Sequence, residues 1–318
     1  VQHARAVSAF RQKCHHSFSQ PEALWQFYCA SAGLREIRSA AVLIVAADHG
    51  IAGPVEDRLM DQWLRDYLHD SLPLQQLAAA WKIPIELLDC GMRGNYQSDI
   101  NFWMRHGSTI FTRKLASGTQ DLRYHAALTT EVVEQGVALG RQWLHRQLDQ
   151  GRQMVVLSST GSGSANAAAA LALAGEWIST GVMRQALSTE PKKYQQSLIK
   201  GVRRHPKTHD PYTLLALHGG LEGAVMLGFM LEAAGHNLPV LLDGDYALLI
   251  ALLAQWLQPH LQEYQFLASA APAPLYLDLR KKWPQPTVGH TQISRAVGIN
   301  GLAALQQMQS ELTLLQKS

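Results

Sequence analysis

The stretch from Asp210 to Trp256 constrains this chain more than any other. It reads DPYTLLALHGGLEGAVMLGFMLEAAGHNLPVLLDGDYALLIALLAQW. A short helix is expected to break at Gly219-Gly220. The helix after it is apolar nearly all round, with Leu221, Ala224, Val225, Leu227, Met230, Leu231 and Ala234. A helix with so few polar positions has to be buried. Beyond the stop at Gly235-His236-Asn237, the run Pro239 to Leu242 is short, apolar and bounded by turn residues. Such a run suits a parallel strand covered on both faces. It ends in Asp243-Gly244-Asp245, and open α/β sheets place their ligands at that end of a strand.

Other segments repeat the pattern. Ala41 to Ala47 predicts a buried strand closed by Asp48-His49-Gly50, and Ile85 to Leu88 another that ends in Asp89-Cys90-Gly91. Gln153 to Leu157 runs into SSTGSGSANAAAALALAG, and Gln265 to Ala268 is the last candidate strand. Helices are expected over residues 1–38, 57–81 and 130–148 and over the tail from Gln292, which is interrupted at Gly298-Ile299-Asn300-Gly301. Met92 to Tyr124 reads as connecting loops, which at that length are often functional. Trp177 to Pro211 is polar and basic. At 318 residues the chain suggests one large α/β domain with a smaller appendage.

With 47% hydrophobic and 17% charged residues, the chain can build a sizeable core. A formal charge of +3 without a long basic block does not imply nucleic acid. No apolar run is long enough to span a bilayer, and the first residues lack a signal-peptide core. Three scattered cysteines, Cys14, Cys29 and Cys90, read as reduced thiols in a cytoplasmic protein.

The strongest chemical signal is Thr160-Gly161-Ser162-Gly163-Ser164-Ala165-Asn166 between a strand and a helix. Small residues there let backbone N–H groups approach an anion at a helix N-terminus. The glycines could equally serve tight helix–sheet packing. No Gly-Lys-Ser/Thr follows, so this is not a nucleoside-triphosphate P-loop, and Asn166 stands where a dinucleotide fingerprint has its third glycine. His205 and His209 are four apart, but Pro206 and Asp210-Pro211 argue for a loop, so no metal site is expected. His218-Gly219-Gly220 has no Gly-x-Ser-x-Gly elbow to serve, which excludes a hydrolase of that type. Asp48, Asp243 and Asp245 could be helix N-caps or site residues. Glu222, near the start of a buried helix, must be paired, as a strut or as part of the site.

Together these residues resemble the nicotinate-nucleotide–dimethylbenzimidazole phosphoribosyltransferase (CobT) family. Ala47-Asp48-His49-Gly50-Ile51 is similar to its Ala-Asp-His-Gly motif, and Gly118-Thr119-Gln120-Asp121 to its Gly-Thr-x-Asn loop, with Asp for Asn. Gly161-Ser162-Gly163-Ser164 and the alanine-rich helix look like its phosphate loop. Asp210-Pro211, Gly219-Gly220-x-Glu222 and Pro239-Val240-x-x-Asp243-Gly244 match its most recognisable segment. The resemblance implies a doubly wound, Rossmann-like parallel sheet at 39–268, with a small helical domain from 1–38 and 269–318, and a dimer. It implies transfer of phosphoribose from nicotinate mononucleotide to an aromatic acceptor in cobamide lower-ligand activation, with no cofactor. Candidate substrate- and phosphate-binding residues are Gly161, Ser162, Gly163, Ser164, Asn166, Asp243, Gly219, Gly220 and Glu222.

The chain departs from the family where the chemistry lies. Ile299 falls on the family's catalytic glutamate, and the nearest glutamates in sequence are Glu263 and Glu311. Ser158-Ser159-Thr160 replaces a Gly-Glu-Met, and Ser269 to Pro274 replaces Ser-x-Glu-Pro-Gly-His. Three readings follow. The favoured one is a non-catalytic subunit paired with a glutamate-bearing paralogue, similar to the second chain of the heterodimeric phenol or p-cresol phosphoribosyltransferases. The others are an active homodimer with a relocated base, His49 or Glu222, and a nucleotide-binding regulatory protein without catalysis.

Overall fold

Residues 21–94, 108–268, 273–283, 287–289 and 297–317 are described by a computed structural model. The order runs α1 (Pro21–Ala30), β1 (Ala40–Ala47), α2 (Pro54–Leu68), α3 (Pro73–Trp81), β2 (Ile85–Gly91), β3 (Ser108–Thr112) and α4 (Thr130–Asp149). It continues through β4 (Met154–Thr160), α5 (Ser164–Ala174), α6 (Thr180–Ala186), α7 (Lys192–Arg204), α8 (Pro211–His218) and α9 (Leu221–Gly235). Last come β5 (Val240–Asp243), α10 (Asp245–Leu257), a 3-10 turn (Pro259–Tyr264), β6 (Gln265–Leu267), α11 (Pro274–Arg280) and α12 (Ile299–Lys317).

The six strands form one sheet in the order β3-β2-β1-β4-β5-β6, and every neighbouring pair is parallel. This is the doubly wound topology that the family resemblance implies, built from the parallel strands that the short apolar runs predict. β1 shows the physical reason. Leu43, Val45 and Ala47 belong to a core shared with α4, α5, α9 and α10, while Val42, Ile44 and Ala46 belong to a second core on the other face. A period of two with both phases apolar is what a strand covered on two sides requires. α9 lies in the first core, with Leu221 to Met230 buried throughout. Both ends of the chain add to the second core: Phe27 from α1 joins Leu302, Leu305 and Met308 from α12.

Four expectations need correction. The helix expected over 57–81 is two helices, because Pro73 starts α3 after a bend at Asp70–Leu72. Within the expected loop of 92–124, Ser108–Thr112 pairs with β2 as an edge strand. The helix expected over residues 1–38 ends at Ala30, and residues 34–39 enter β1 without helix. The tail is not interrupted at Gly301, which lies in the first turn of α12. Residues 1–20, including Phe10 and Cys14, and 290–296 lie outside the described residues.

Candidate functional site

The sheet order reverses between β1 and β4, so their carboxyl ends flank the crevice where doubly wound folds bind ligands. Asp48 follows β1 directly and ties this edge together. Its Oδ1 accepts the amide of Ser162 at 2.8 Å, and its Oδ2 accepts the amide of Arg93, just past β2, at 2.7 Å. Asp48 therefore crosslinks three strand ends; it is not the helix cap that its position also allowed. The His49 amide donates to Ser162 O at 2.8 Å, so the two loops are zipped in both directions. Gly161 is needed because a Cβ there would lie 1.6 Å from Ala47 O. The Gly118-Thr119 loop closes over this edge: the Thr119 amide donates to Asp48 O at 3.0 Å, and Gly50 N donates to Thr119 Oγ1 at 3.1 Å.

The first turn of α2 supplies residues that sequence reasoning passed over. Asp57 Oδ1 accepts both the Ser162 hydroxyl, at 2.6 Å, and Arg93 Nη2, at 2.7 Å. Asn166 Nδ2 faces Glu56 Oε1, Glu190 Oε1 and the Tyr194 hydroxyl at 3.3, 3.2 and 3.2 Å. Burial, more than any neighbour, pushes the Glu56 carboxyl above its usual range. The Ser162 amide is thus already engaged by a carboxylate. Gly163 and Ser164 open α5, whose first amides lack partners within the helix. Beside this loop lies a pocket of about 320 Å³, lined by Asp48, Asp57, Met60, Asp61, Leu64, Met92, Arg93, Gly94 and Ser162. The signals for Asp57 and Arg93 in the sequence are slight: Arg93 stands just beyond the end of β2, and Asp57 is an acidic residue in the first turn of a helix.

Glu222 is paired, as its burial demands. His49 Nε2 and Glu222 Oε1 are 2.6 Å apart, and both residues are 0% exposed. Gly220 makes room for this pair, since a Cβ there would lie 2.4 Å from both Glu222 Oε2 and His49 Cε1. Neither residue is among those that line the pocket described above. Gly219 closes α8 next to His218, whose ring lies 5.4 Å from that of His205. Burial lowers the His218 pKa to about 4, and His205 adds to the effect. His209 instead stacks edge-on with Trp256, so the two histidines four apart in sequence face different partners.

The position expected to carry the family's glutamate opens α12. Ile299 is partly buried and packs against the second core. Asp243, at the end of β5, accepts the Gly301 amide at 2.8 Å and so caps α12 from 58 positions away in sequence. Burial raises the Asp243 pKa to about 6 despite that bond. Asp245 sits in the first turn of α10, not at its cap, and burial raises it also to about 6. In the altered Ser158-Ser159-Thr160 segment, the Ser158 hydroxyl donates to Asp243 O at 3.2 Å. Residues 269–272 lie outside the described residues. Cys90 is a buried free thiol, and no described helix is long and apolar enough to cross a membrane.

Comparison with known proteins fits this geometry. Residues 2–276 match the family model described as phosphoribosyltransferase, DBI_PRT. The nicotinate-nucleotide–dimethylbenzimidazole phosphoribosyltransferase of Vibrio cholerae is 27% identical over 240 residues, covering 73% of this chain and 68% of that protein. The one from Variovorax paradoxus is 27% identical over 293 residues, covering 88% and 80%. The crystal structure of CobT from Thermus thermophilus superposes with a TM-score of 0.81 at 21% identity, covering 98% of this chain and 96% of that one. A doubly wound sheet with this edge, matched over most of its length, identifies the chain as a member of the DBI_PRT phosphoribosyltransferase family.

Proposed function

We propose that this chain is a cytoplasmic subunit of a phosphoribosyltransferase that moves phosphoribose from nicotinate mononucleotide to an aromatic acceptor in cobamide lower-ligand synthesis. In this reading the acceptor is a phenol, p-cresol or dimethylbenzimidazole, and a glutamate-bearing paralogue supplies the catalytic base. Residues 1–38 and 269–318 would act as the helical unit around the 39–268 sheet domain.

One observation carries the assignment of a non-catalytic role. The first residue of α12 is Ile299, partly buried against an apolar core, at the position where the family resemblance puts the carboxylate that would take the acceptor's proton. The nearby carboxylate, Asp243, already holds the Gly301 amide. The frame for binding is nonetheless retained. The start of α5 suits a phosphate, and Met60, Leu64 and Met92 give the adjoining pocket apolar walls for a flat ring.

A second reading, an active enzyme with a relocated base, draws on one feature of the same pocket. Asp57 and Asp61 line it, the first half-buried and the second exposed. Purified alone and co-expressed with a glutamate-bearing paralogue, the chain is to be assayed for transfer to dimethylbenzimidazole and to phenol. The proposal expects no turnover alone and turnover in the complex, insensitive to Ile299→Ala. Robust transfer by the lone chain, abolished by Asp57→Asn or Asp61→Asn, would replace it with the second reading. Nucleotide binding without turnover in either state would leave a regulatory protein.

A further inference from the structure

α4 and α9 run side by side in the same direction, because their contacts climb together: Gly136 meets Ala224, and Gly140 meets Val225 and Phe229. Glycines let the two backbones touch. A Cβ added at Gly140 would lie 1.9 Å from Val225 O, and one at Gly228 would lie 2.0 Å from Val137 O. At the carboxyl end of this seam, outside the apolar core, three metal-ligating side chains converge. His145 comes from α4, and Glu232 and His236 come from α9 at i and i+4.

We propose that His145, Glu232 and His236 bind a divalent transition-metal cation, with Zn2+ the best fit to two imidazoles and one carboxylate. Glu232 Oε1 faces both rings, 3.4 Å from His145 Nε2 and 3.5 Å from His236 Nε2. In a tetrahedral site with bonds of about 2.0–2.1 Å, neighbouring ligand atoms stand about 3.3–3.4 Å apart. One ligand atom from each of the three residues falls within 4.8 Å of the others. The second carboxylate oxygen, Oε2, points to Arg141 Nε at 3.8 Å, an outer partner that keeps Oε1 turned toward the histidines. The carboxyl ends of two parallel helices add partial negative charge that favours a cation. The side chains are 54%, 29% and 39% exposed, so a cation can enter directly and keep a water as its fourth ligand. Bound there, it would staple the open end of the α4–α9 seam. The site is remote in chemistry from phosphoribosyl transfer and does not depend on that reading.

Full-length protein stripped with a chelator is to be titrated with Zn2+ by calorimetry and with Co2+ by visible absorption. One equivalent should bind, with the Co2+ bands of a tetrahedral site, and Zn2+ should raise the thermal midpoint. His145→Ala with His236→Ala should weaken binding by roughly a hundredfold or more, the order expected when a metal loses its ligands. His205→Ala with His209→Ala should leave it unchanged. The substituted side chains are partly exposed, and an unchanged circular-dichroism spectrum keeps the comparison valid. No uptake at millimolar Zn2+, or uptake that survives loss of His145 and His236, would overturn the proposal.

Discussion

Glu222 and Asp243 are carboxylates buried at the same edge of one sheet, yet they are held in different ways. Glu222 lies on the side of the first core and meets a single side-chain partner, His49, from the loop after β1. Asp243 faces the second core and is held by the backbone at the start of α12. A carboxylate matched to one buried imidazole fails when either partner is removed. One that accepts a helix amide shares its role with the ordinary capping options of a helix end. The first node fixes the loop that frames the pocket. The second fixes a helix whose leading side chain, Ile299, is aliphatic. Rigid polar crosslinking has been kept on one side of the crevice, while the other side is built for packing.

The largest expected effect tests the first node. Glu222→Ala strands a buried His49 and should lower the unfolding free energy by about 3 kcal/mol, with Glu222→Gln milder because the amide keeps a hydrogen bond. Urea denaturation at pH 7 checks this, and equal losses from the two variants would break the comparison.

Next is His218, on the same side. Its folded pKa of about 4 lies below the ordinary 6.5, so the folded state resists protonation. The stability it contributes is present above pH 6.5 and is lost as pH falls toward 4, by roughly 2 kcal/mol. His218→Gln should flatten that acid limb in denaturation curves recorded across pH.

At the second node, Asp243→Ala removes the acceptor of the Gly301 amide and should cost about 1.5 kcal/mol, in the range of lost helix caps. Hydrogen exchange of the first α12 amides is the direct readout, and protection unchanged there would show that the cap is dispensable.

The smallest effect has the opposite sign. Asp245 is raised to about 6 from 3.8 by burial, so the folded state holds a proton that the unfolded chain has given up between those values. Stability from this group therefore falls as pH rises through that window. Asp245→Asn should stabilise by about 1 kcal/mol at pH 7, the helix N-terminus offsetting part of the burial, and by nothing below pH 4.

The sequence by itself determined the sheet and its covering. The apolar runs of β1, β4 and β5 and the all-round apolar α9 require burial on two sides, and burial is a local property of residue type and period. The ordered motifs likewise placed the loop of Gly161 to Ser164 at a strand end. Breaks fixed by weaker signals were missed, as at Pro73, and so was the short edge strand Ser108–Thr112. Partnership was beyond local reading. Glu222 had to be paired, but His49 stands 173 positions away, and only the packing of α9 against β1 and β2 brings the two together. The same holds for Asp243 and the Gly301 amide, 58 positions apart, and for Asp48 and Ser162, 114 apart. Glu232 and His236 share a helix face by their spacing alone, yet His145 joins them only because glycines let α4 and α9 close on each other. Periodicity records which side of an element is buried; which distant residue it meets is decided by the crossing of chains in three dimensions.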